Sequence, residues 1–348
     1  MQIQTNPSFD GHENVVAFED LKTGLAGVIA VHSTHLGPAA GGCRMATYIS
    51  PDAALTDALR LSQGMSYKNA MADLPAGGGK AVLYRSNPEA SRAEIFQAFG
   101  AAIETLKGQY ITAEDVGTSV SDMQAVAQRT RYVSGLPTRD GQAGGDPSPW
   151  TALGVFVALE AAAKRPLSGA RVAVQGLGSV GFKLCERLHA AGARLVVADV
   201  DRGRVEAALS QFGAESADVD MIHAVQADVF SPNALGASLN VQTISELGAP
   251  VVCGGANNQL ATAADGVRLF DRGIVYAPDY VVNAGGIINV MAEYFQEPSA
   301  GVEARVRAIA GRVSEILATA AAEQAPPHEV ADRLARARIG RQSVQSAA

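Results

Sequence analysis

Apolar positions between residues 14 and 33 fall into two runs. Val15-Val16-Ala17-Phe18 leads to a Lys22-Thr23-Gly24 turn, and Gly27-Val28-Ile29-Ala30-Val31 returns, which predicts a β-hairpin. A Gly/Pro-rich loop follows, Leu36-Gly37-Pro38-Ala39-Ala40-Gly41-Gly42. Ser50-Pro51 then opens a helix, with Ser as N-cap and Pro in the first turn. Leu55, Ala58, Leu59 and Ser62 continue at helical spacing, and the helix is expected to end near Ala72. The triplet Gly77-Gly78-Gly79 breaks the pattern ahead of a strand over Lys80-Ala81-Val82-Leu83. A second helix is expected from Glu89 to Lys107. A short strand, Tyr110-Ile111-Thr112, ends at Ala113-Glu114-Asp115-Val116-Gly117.

The pattern changes near residue 140, where Asp140-Gly141-Gln142-Ala143-Gly144-Gly145-Asp146-Pro147 has the composition of a linker. Beyond it apolar strands alternate with helical stretches. Arg171–Gln175 is a strand, followed by a glycine loop and a helix to about Ala191; Leu195–Asp199 is the next strand. Pro250–Cys253 and Gly273–Tyr276 are later candidates. Such alternation predicts a parallel, doubly wound sheet. From Gly301 onward the chain reads as helices.

The chain has 348 residues, 47% hydrophobic and 18% charged, which suits two ordinary domains and excludes a disordered chain. The net charge of -7 comes without any Lys/Arg-rich block, so neither nucleic acid nor an anionic membrane is an expected partner. The N-terminal stretch is polar and lacks the features of a signal peptide, so a cytoplasmic protein is expected. Cys43, Cys185 and Cys253 are far apart and form no CxxC pair. They read as buried free thiols in a reducing compartment, and no metal site is expected.

Gly176-Leu177-Gly178-Ser179-Val180-Gly181 fits GxGxxG between a strand and a helix, and Asp199 ends the next strand. Glycines there let the backbone approach a pyrophosphate seated on the helix N-terminus, and the acidic residue accepts bonds from ribose hydroxyls. With Val200 beside it, Asp199 points to NAD and against the 2′-phosphate of NADP. Two lysines, Lys68 in Met65-Ser66-Tyr67-Lys68-Asn69 and Lys80 after the glycine triplet, stand twelve residues apart. A solvated surface cation is the ordinary role of a lysine. Against that, the glycines allow a ligand or another backbone close to Lys80. Two ammonium groups sharing one pocket would also repel, which suits one of them to act as a general base. Asp115 directly follows a strand. Ser119 and Asp122 suffice to cap the next helix, which leaves Asp115 for another task.

These strings resemble the glutamate/leucine/phenylalanine/valine dehydrogenase superfamily over nearly the whole chain. The resemblance runs from His12-Glu13 through Leu36 to Arg44, the lysine pair, Ile111 to Thr118 and the dinucleotide loop. It continues through Gly255-Ala256-Asn257-Asn258-Gln259-Leu260 and Ala277 to Gly286. It implies an NAD-dependent, homo-oligomeric enzyme that deaminates an L-amino acid to its 2-oxo acid and ammonia. Lys68 would bind the substrate carboxylate, helped by backbone groups of Gly41 and Gly42. Lys80 would activate the water that attacks the imine, and Asp115 would shuttle protons to and from the amine. Asn257 would contact substrate and nicotinamide, with Asn283 in the same pocket. Ala256 and Asn258 flank Asn257 on the cofactor side, and Thr151 would touch the nicotinamide carboxamide. The family fold implied is two α/β domains with a cleft that closes on substrate. A substrate domain would cover residues 1–140 plus C-terminal helices from about 325 to 348, and a Rossmann-type NAD domain residues 141–324.

Glutamate dehydrogenases of this superfamily carry a lysine before the glycine pair, where this chain has Ala40. A buried glutamate side chain would lack its cation there, which argues against glutamate. Leucine dehydrogenases carry Leu at this place and some phenylalanine enzymes Ala. Ala113, Ile287 and Val290 resemble leucine-type pocket walls, so branched-chain and aromatic substrates both stay open. A non-catalytic NAD-binding sensor on the same fold is the competing class, although a sensor would not need Lys80 and Asp115.

Overall fold

The computed structural model describes residues 2–85, 90–138, 141–234 and 236–341. Two compact units divide the chain. The first comprises residues up to Gly145, Asn289–Ala300 and the chain from Ala335; the second comprises Asp146–Ile288 and Gly301–Leu334. This division differs from the expected ranges in three respects, the first being a boundary five residues later, after Gly145. A segment around residue 290 belongs with the first unit, and the C-terminal return starts about ten residues later than expected.

In the first unit the hairpin forms as expected, from β1 (Asn14–Asp20) and β2 (Leu25–Ser33). They are followed by β3 (Ala39–Ala40), β4 (Cys43–Met45), α1 (Pro51–Met71), β5 (Gly77–Arg85), α2 (Arg92–Glu104), β6 (Tyr110–Ile111) and α3 (Val120–Ala127). The sheet runs β1-β2-β5-β3-β6, with β4 also on β5. Ser50 caps α1 through a bond from the Ala53 N–H, as expected. The expected second helix is shorter, opening on a Ser91–Glu94 capping box; its expected start, Glu89, lies outside the described residues.

The glycine triplet is part of β5 rather than a break before it. A Cβ on Gly78 would lie 2.0 Å from the Ser66 backbone nitrogen, so helix α1 sits directly on the strand there. That contact sets the helix bearing Lys68 against the strand bearing Lys80. Ile95, Phe96, Phe99 and Ile103 of α2 fill one face of the sheet, and Leu55, Ala58 and Leu59 of α1 fill the other. The expected linker is stitched into the first unit. Ala143 N–H donates to the Glu297 carbonyl, and Gly144 exchanges two bonds with the Asn289 side chain; Asp140 lies outside the described residues.

The second unit is built from α4 (Ser148–Ala163), β7 (Arg171–Gln175), α5 (Ser179–Ala190), β8 (Arg194–Ala198), α6 (Arg202–Phe212), β9 (Glu215–Ser216), β10 (Val229–Pro232), α7 (Val241–Glu246), β11 (Val251–Val252), α8 (Ala263–Asp271), β12 (Val275–Tyr276) and α9 (Asp279–Val282). Its six-stranded sheet is parallel, in the order β12-β11-β10-β7-β8-β9. Counted from β7, this is the 3-2-1-4-5-6 order of a dinucleotide-binding fold. Strands β9 and β10 were not anticipated. Helices α10 (Gly285–Tyr294), α11 (Ala300–Arg307), α12 (Ile309–Glu323) and α13 (Pro327–Arg338) complete the chain. Among the described residues no helix is long and apolar enough to cross a membrane.

Candidate active site

The first unit gathers Lys80 on β5, the glycine pair between β3 and β4, and Asp115 in the loop after β6. Lys80 lies inside β5, paired with Ala30 of β2, and is only 5% exposed. Its Nζ stands 2.7 Å from Asp115 Oδ2. The charged partner at Lys80 is therefore a carboxylate, where the sequence had suggested Lys68. Asp115 is placed by its own loop: its N–H donates to Thr118 Oγ1 at 2.9 Å, and Ser119 with Asp122 caps α3 without it, as anticipated. Burial raises the Asp115 carboxyl, but the charges of Lys80 and Arg44 outweigh it and hold the group below the usual carboxylate range.

Ala40, Gly41 and Gly42 form the neighbouring edge. Ala40 pairs with Gly78 on one side and Ile111 on the other, and is buried, as is Ala113. The Gly41 N–H is already committed to the Ile111 carbonyl at 3.2 Å, so this donor is engaged within the protein. Two supports escaped the sequence reading. Tyr110, fully buried, donates its hydroxyl to the Gly41 carbonyl at 2.6 Å. Asn69 donates to both the Ala40 and Gly77 carbonyls, at 3.2 and 2.6 Å. Lys68 is half-buried in the last turn of α1, beside that anchor.

In the second unit the glycine loop joins β7 to α5. Gly176 has φ +88°, and a Cβ on Gly181 would lie 2.0 Å from the Gly176 carbonyl. A Cβ on Gly178 would meet nothing within 4 Å, and no side chain caps the start of α5. Leu177, Ser179 and Val180 thus border a helix N-terminus with open space in front of Gly178, which fits a pyrophosphate. Asp199 Oδ2 accepts from the Leu177 N–H at 2.5 Å and Oδ1 from Asp201 N–H at 2.8 Å, so its carboxylate is fixed at the end of β8. Val200 beside it is 85% exposed.

The loop after β11 carries the other predicted residues. Asn283 donates to Asn257 Oδ1 at 2.7 Å and to the Gly255 carbonyl at 3.2 Å. Asn258 adopts φ +53°. Gln259, fully buried, braces the loop by donating to the Gly254 and Ala256 carbonyls at 2.7 and 3.0 Å. Thr151 returns its hydroxyl to the Pro147 carbonyl within α4, at 3.1 Å. Ile287 and Val290 are half-buried, three residues apart and hence on one face of α10.

Residues 12–132 match the family described as Glu/Leu/Phe/Val dehydrogenase, dimerisation domain, and residues 197–345 the one described as Glutamate/Leucine/Phenylalanine/Valine dehydrogenase. The chain is 45% identical to the leucine dehydrogenase of Bacillus subtilis over 95% of its own length and 92% of that protein. It is 43% identical to the valine dehydrogenase of Streptomyces albus, over 94% and 92%. The crystal structure of L-tryptophan dehydrogenase from Nostoc punctiforme is similar with a TM-score of 0.84 at 39% identity, covering 95% of this chain and 96% of that one.

Proposed function

Since the chain belongs to the glutamate/leucine/phenylalanine/valine dehydrogenase family, we propose that it oxidatively deaminates a hydrophobic L-amino acid, with NAD as its cofactor. The overall reaction is amino acid, NAD⁺ and water to 2-oxo acid, ammonium, NADH and a proton. The buried Lys80–Asp115 pair carries this reading, because it sets a base and a proton shuttle 2.7 Å apart. When bound, NAD supplies the acceptor for the hydride of the substrate Cα.

The chain's own residues do the rest. Lys68 holds the substrate carboxylate. Asp115 takes a proton from the substrate ammonium, because Cα cannot give up hydride until the nitrogen has a lone pair with which to form the imine. Lys80 then takes a proton from the water that adds to the imine carbon. Asp115 returns its proton to the nitrogen; the C–N bond breaks as the new hydroxyl becomes the carbonyl of the 2-oxo acid, ammonia leaves, and the hydroxyl proton and the one on Lys80 pass to ammonia and solvent. Backbone N–H groups at the start of α5, which no side chain caps, would hold the pyrophosphate, and Asp199 and Val200 would border the adenosine ribose. Thr151, Ala256, Asn257, Asn258 and Asn283 serve the nicotinamide end. The description of the first match as a dimerisation domain supports a homo-oligomer. The use of an amino acid and NAD fits the cytoplasm.

Reductive amination tests the reading. Purified protein is given ammonia with NADH or NADPH and a panel of 2-oxo acids. Activity is expected with NADH on branched and aromatic 2-oxo acids, and little with 2-oxoglutarate, because no cation stands at position 40. Absence of turnover across the panel would overturn the proposal and favour the sensor. Equal or better use of NADPH would overturn the role of Asp199 alone.

Position 40 gives a second expected result. Ala40→Leu adds three carbons at a buried edge of β3, so bulky substrates lose more than small ones. A change of this size in an apolar pocket is worth about 1–3 kcal/mol, or about 10- to 200-fold. The phenylalanine-to-valine ratio of kcat/KM should fall by that factor. An unchanged ratio would remove Ala40 from the pocket.

A further inference from the structure

Arg44 has no assigned part in the chemistry, yet it stands against the proton shuttle. Its Nε lies 3.4 Å from Asp115 Oδ2, the same oxygen that Lys80 approaches at 2.7 Å. Its Nη1 donates to Asp57 Oδ2 at 3.0 Å. That oxygen also accepts the Tyr48 hydroxyl at 2.6 Å. The result is one chain of contacts, Tyr48–Asp57–Arg44–Asp115–Lys80, in which Asp57 lies on α1, Arg44 on β4 and Lys80 on β5. Four of the five are only partly accessible to water, and Lys80 is buried, so their charges act on one another with little screening.

We propose that Arg44 is a positioning residue for the reaction: gripped on one side by Asp57, it holds the Asp115 carboxylate against Lys80. The proposal rests on the proposed function for its meaning, and on the geometry for its existence. A guanidinium suits the task because it is always charged and presents donors in a rigid fork, so it can engage two carboxylates at once. Nη1 hydrogen-bonds Asp57, while Nε faces Asp115 Oδ2 at 3.4 Å as an ion-pair contact, so the two nitrogens turn to different carboxylates. Burial opposes the charge on Arg44, and the two aspartates more than offset it, leaving the guanidinium held above its ordinary range.

Among the described residues, two further groups that face Asp115, Cys43 and Tyr110, are neutral. Burial pushes the Cys43 thiol up to about 12, and it pushes the Tyr110 phenol well above its usual range. The Val116 backbone N–H also favours the carboxylate form of Asp115. Arg44 and Lys80 are therefore the charges that set how readily this site takes up a proton, with Asp57 opposing them from behind Arg44.

That arrangement gives opposite signs to two substitutions. Arg44→Met removes a positive charge, so protonation of the site becomes easier. Asp57→Asn removes a negative charge and releases Arg44 wholly to Asp115, so protonation becomes harder. The experiment is the pH profile of kcat/KM for wild type, Arg44→Met, Arg44→Lys and Asp57→Asn. The limb at which the Lys80–Asp115 pair loses its proton is a property of the pair. It should move up by about 1 pH unit in Arg44→Met, the low end of what an opposite charge at this range does, and move down in Asp57→Asn. Arg44→Lys should stay between wild type and Arg44→Met. In Arg44→Met, kcat should fall more than KM rises, since substrate carboxylate binding is left in place.

A purely structural Arg44 would cost stability in both variants without opposite shifts. Limbs that stay put, or that move the same way, overturn the proposal. A carbonyl-carbon NMR titration of Asp115, assigned by its loss in Asp115→Asn, gives the same two signs without turnover. If the wild type proves inactive on every 2-oxo acid, the functional reading fails, and the NMR midpoints still decide whether Arg44 governs Asp115.

Discussion

Lys80→Ala is expected to lower kcat by about 100- to 10,000-fold, the range in which a lost general base falls. The side chain stands on a strand paired on both sides and reaches the proposed proton shuttle at 2.7 Å. It lies in β5, flanked by β2 and β4, and the strand is pressed on by α1 at Gly78. Truncation leaves that backbone in place and removes the side chain beyond Cβ, the amine included. Asp115 then keeps Arg44 as its remaining cation, at 3.4 Å. With Lys68 in its proposed role, the substrate carboxylate keeps its partner, so KM should change much less than kcat. Steady-state kinetics in the deamination direction, with circular dichroism to show that the fold is kept, check this. A Lys80→Ala enzyme with near-normal kcat would mean that water is activated elsewhere. A loss confined to KM would make Lys80 a binding group.

The long, evenly apolar strands were legible. Val172–Val174 and Leu195–Ala198 are continuous buried runs of the kind parallel strands need, and the structure places β7 and β8 over them. Strand β9 has only two residues, too few for any periodicity to register. The unanticipated β10 holds four buried residues and ends in Pro232, which reads locally as a stop although its place is beside β7. The glycine triplet was misjudged for a different reason. Glycine weakens an isolated strand, but here a helix backbone lies against it, and only the tertiary packing reveals that need.

The candidate site divides in the same way. Lys80 and Asp115 could be picked out because their chemistry is unusual in their local setting. Arg44, Asp57, Tyr110 and Asn69 look ordinary in the sequence. Their value lies in contacts across long separations: the Tyr110 hydroxyl reaches Gly41, 69 residues away, and Asn69 reaches Ala40, 29 away. The signal available for Arg44 was its place two residues after the glycine pair, which alone does not say that it turns towards Asp115.

Lys68→Ala should act on binding where Lys80→Ala acts on chemistry. Removing one partner of a desolvated, hydrogen-bonded charge pair costs about 2–5 kcal/mol, so kcat/KM should fall by about 30- to 5,000-fold. Most of that should appear in KM, because the carboxylate is held equally before and during the reaction. The helix around Lys68 is pinned from several sides, which is why the lysine can be replaced without moving its neighbours. Asn69 ties the last turn of α1 to β3 and β5. Tyr67 bonds to Arg336 at 2.8 Å, and Ser66 to His32 at 2.7 Å. Arg336 in turn pairs with Asp10 at 2.9 Å. A carboxylate inhibitor of matching shape, 4-methylpentanoate, isolates the contact. Its inhibition constant should rise with the KM of leucine in Lys68→Ala, whereas that of the corresponding primary amide should barely move. If acid and amide weaken together, the loss comes from a disturbed pocket. If neither weakens, the substrate carboxylate is held by another group, and Lys68 is a surface cation at the end of its helix.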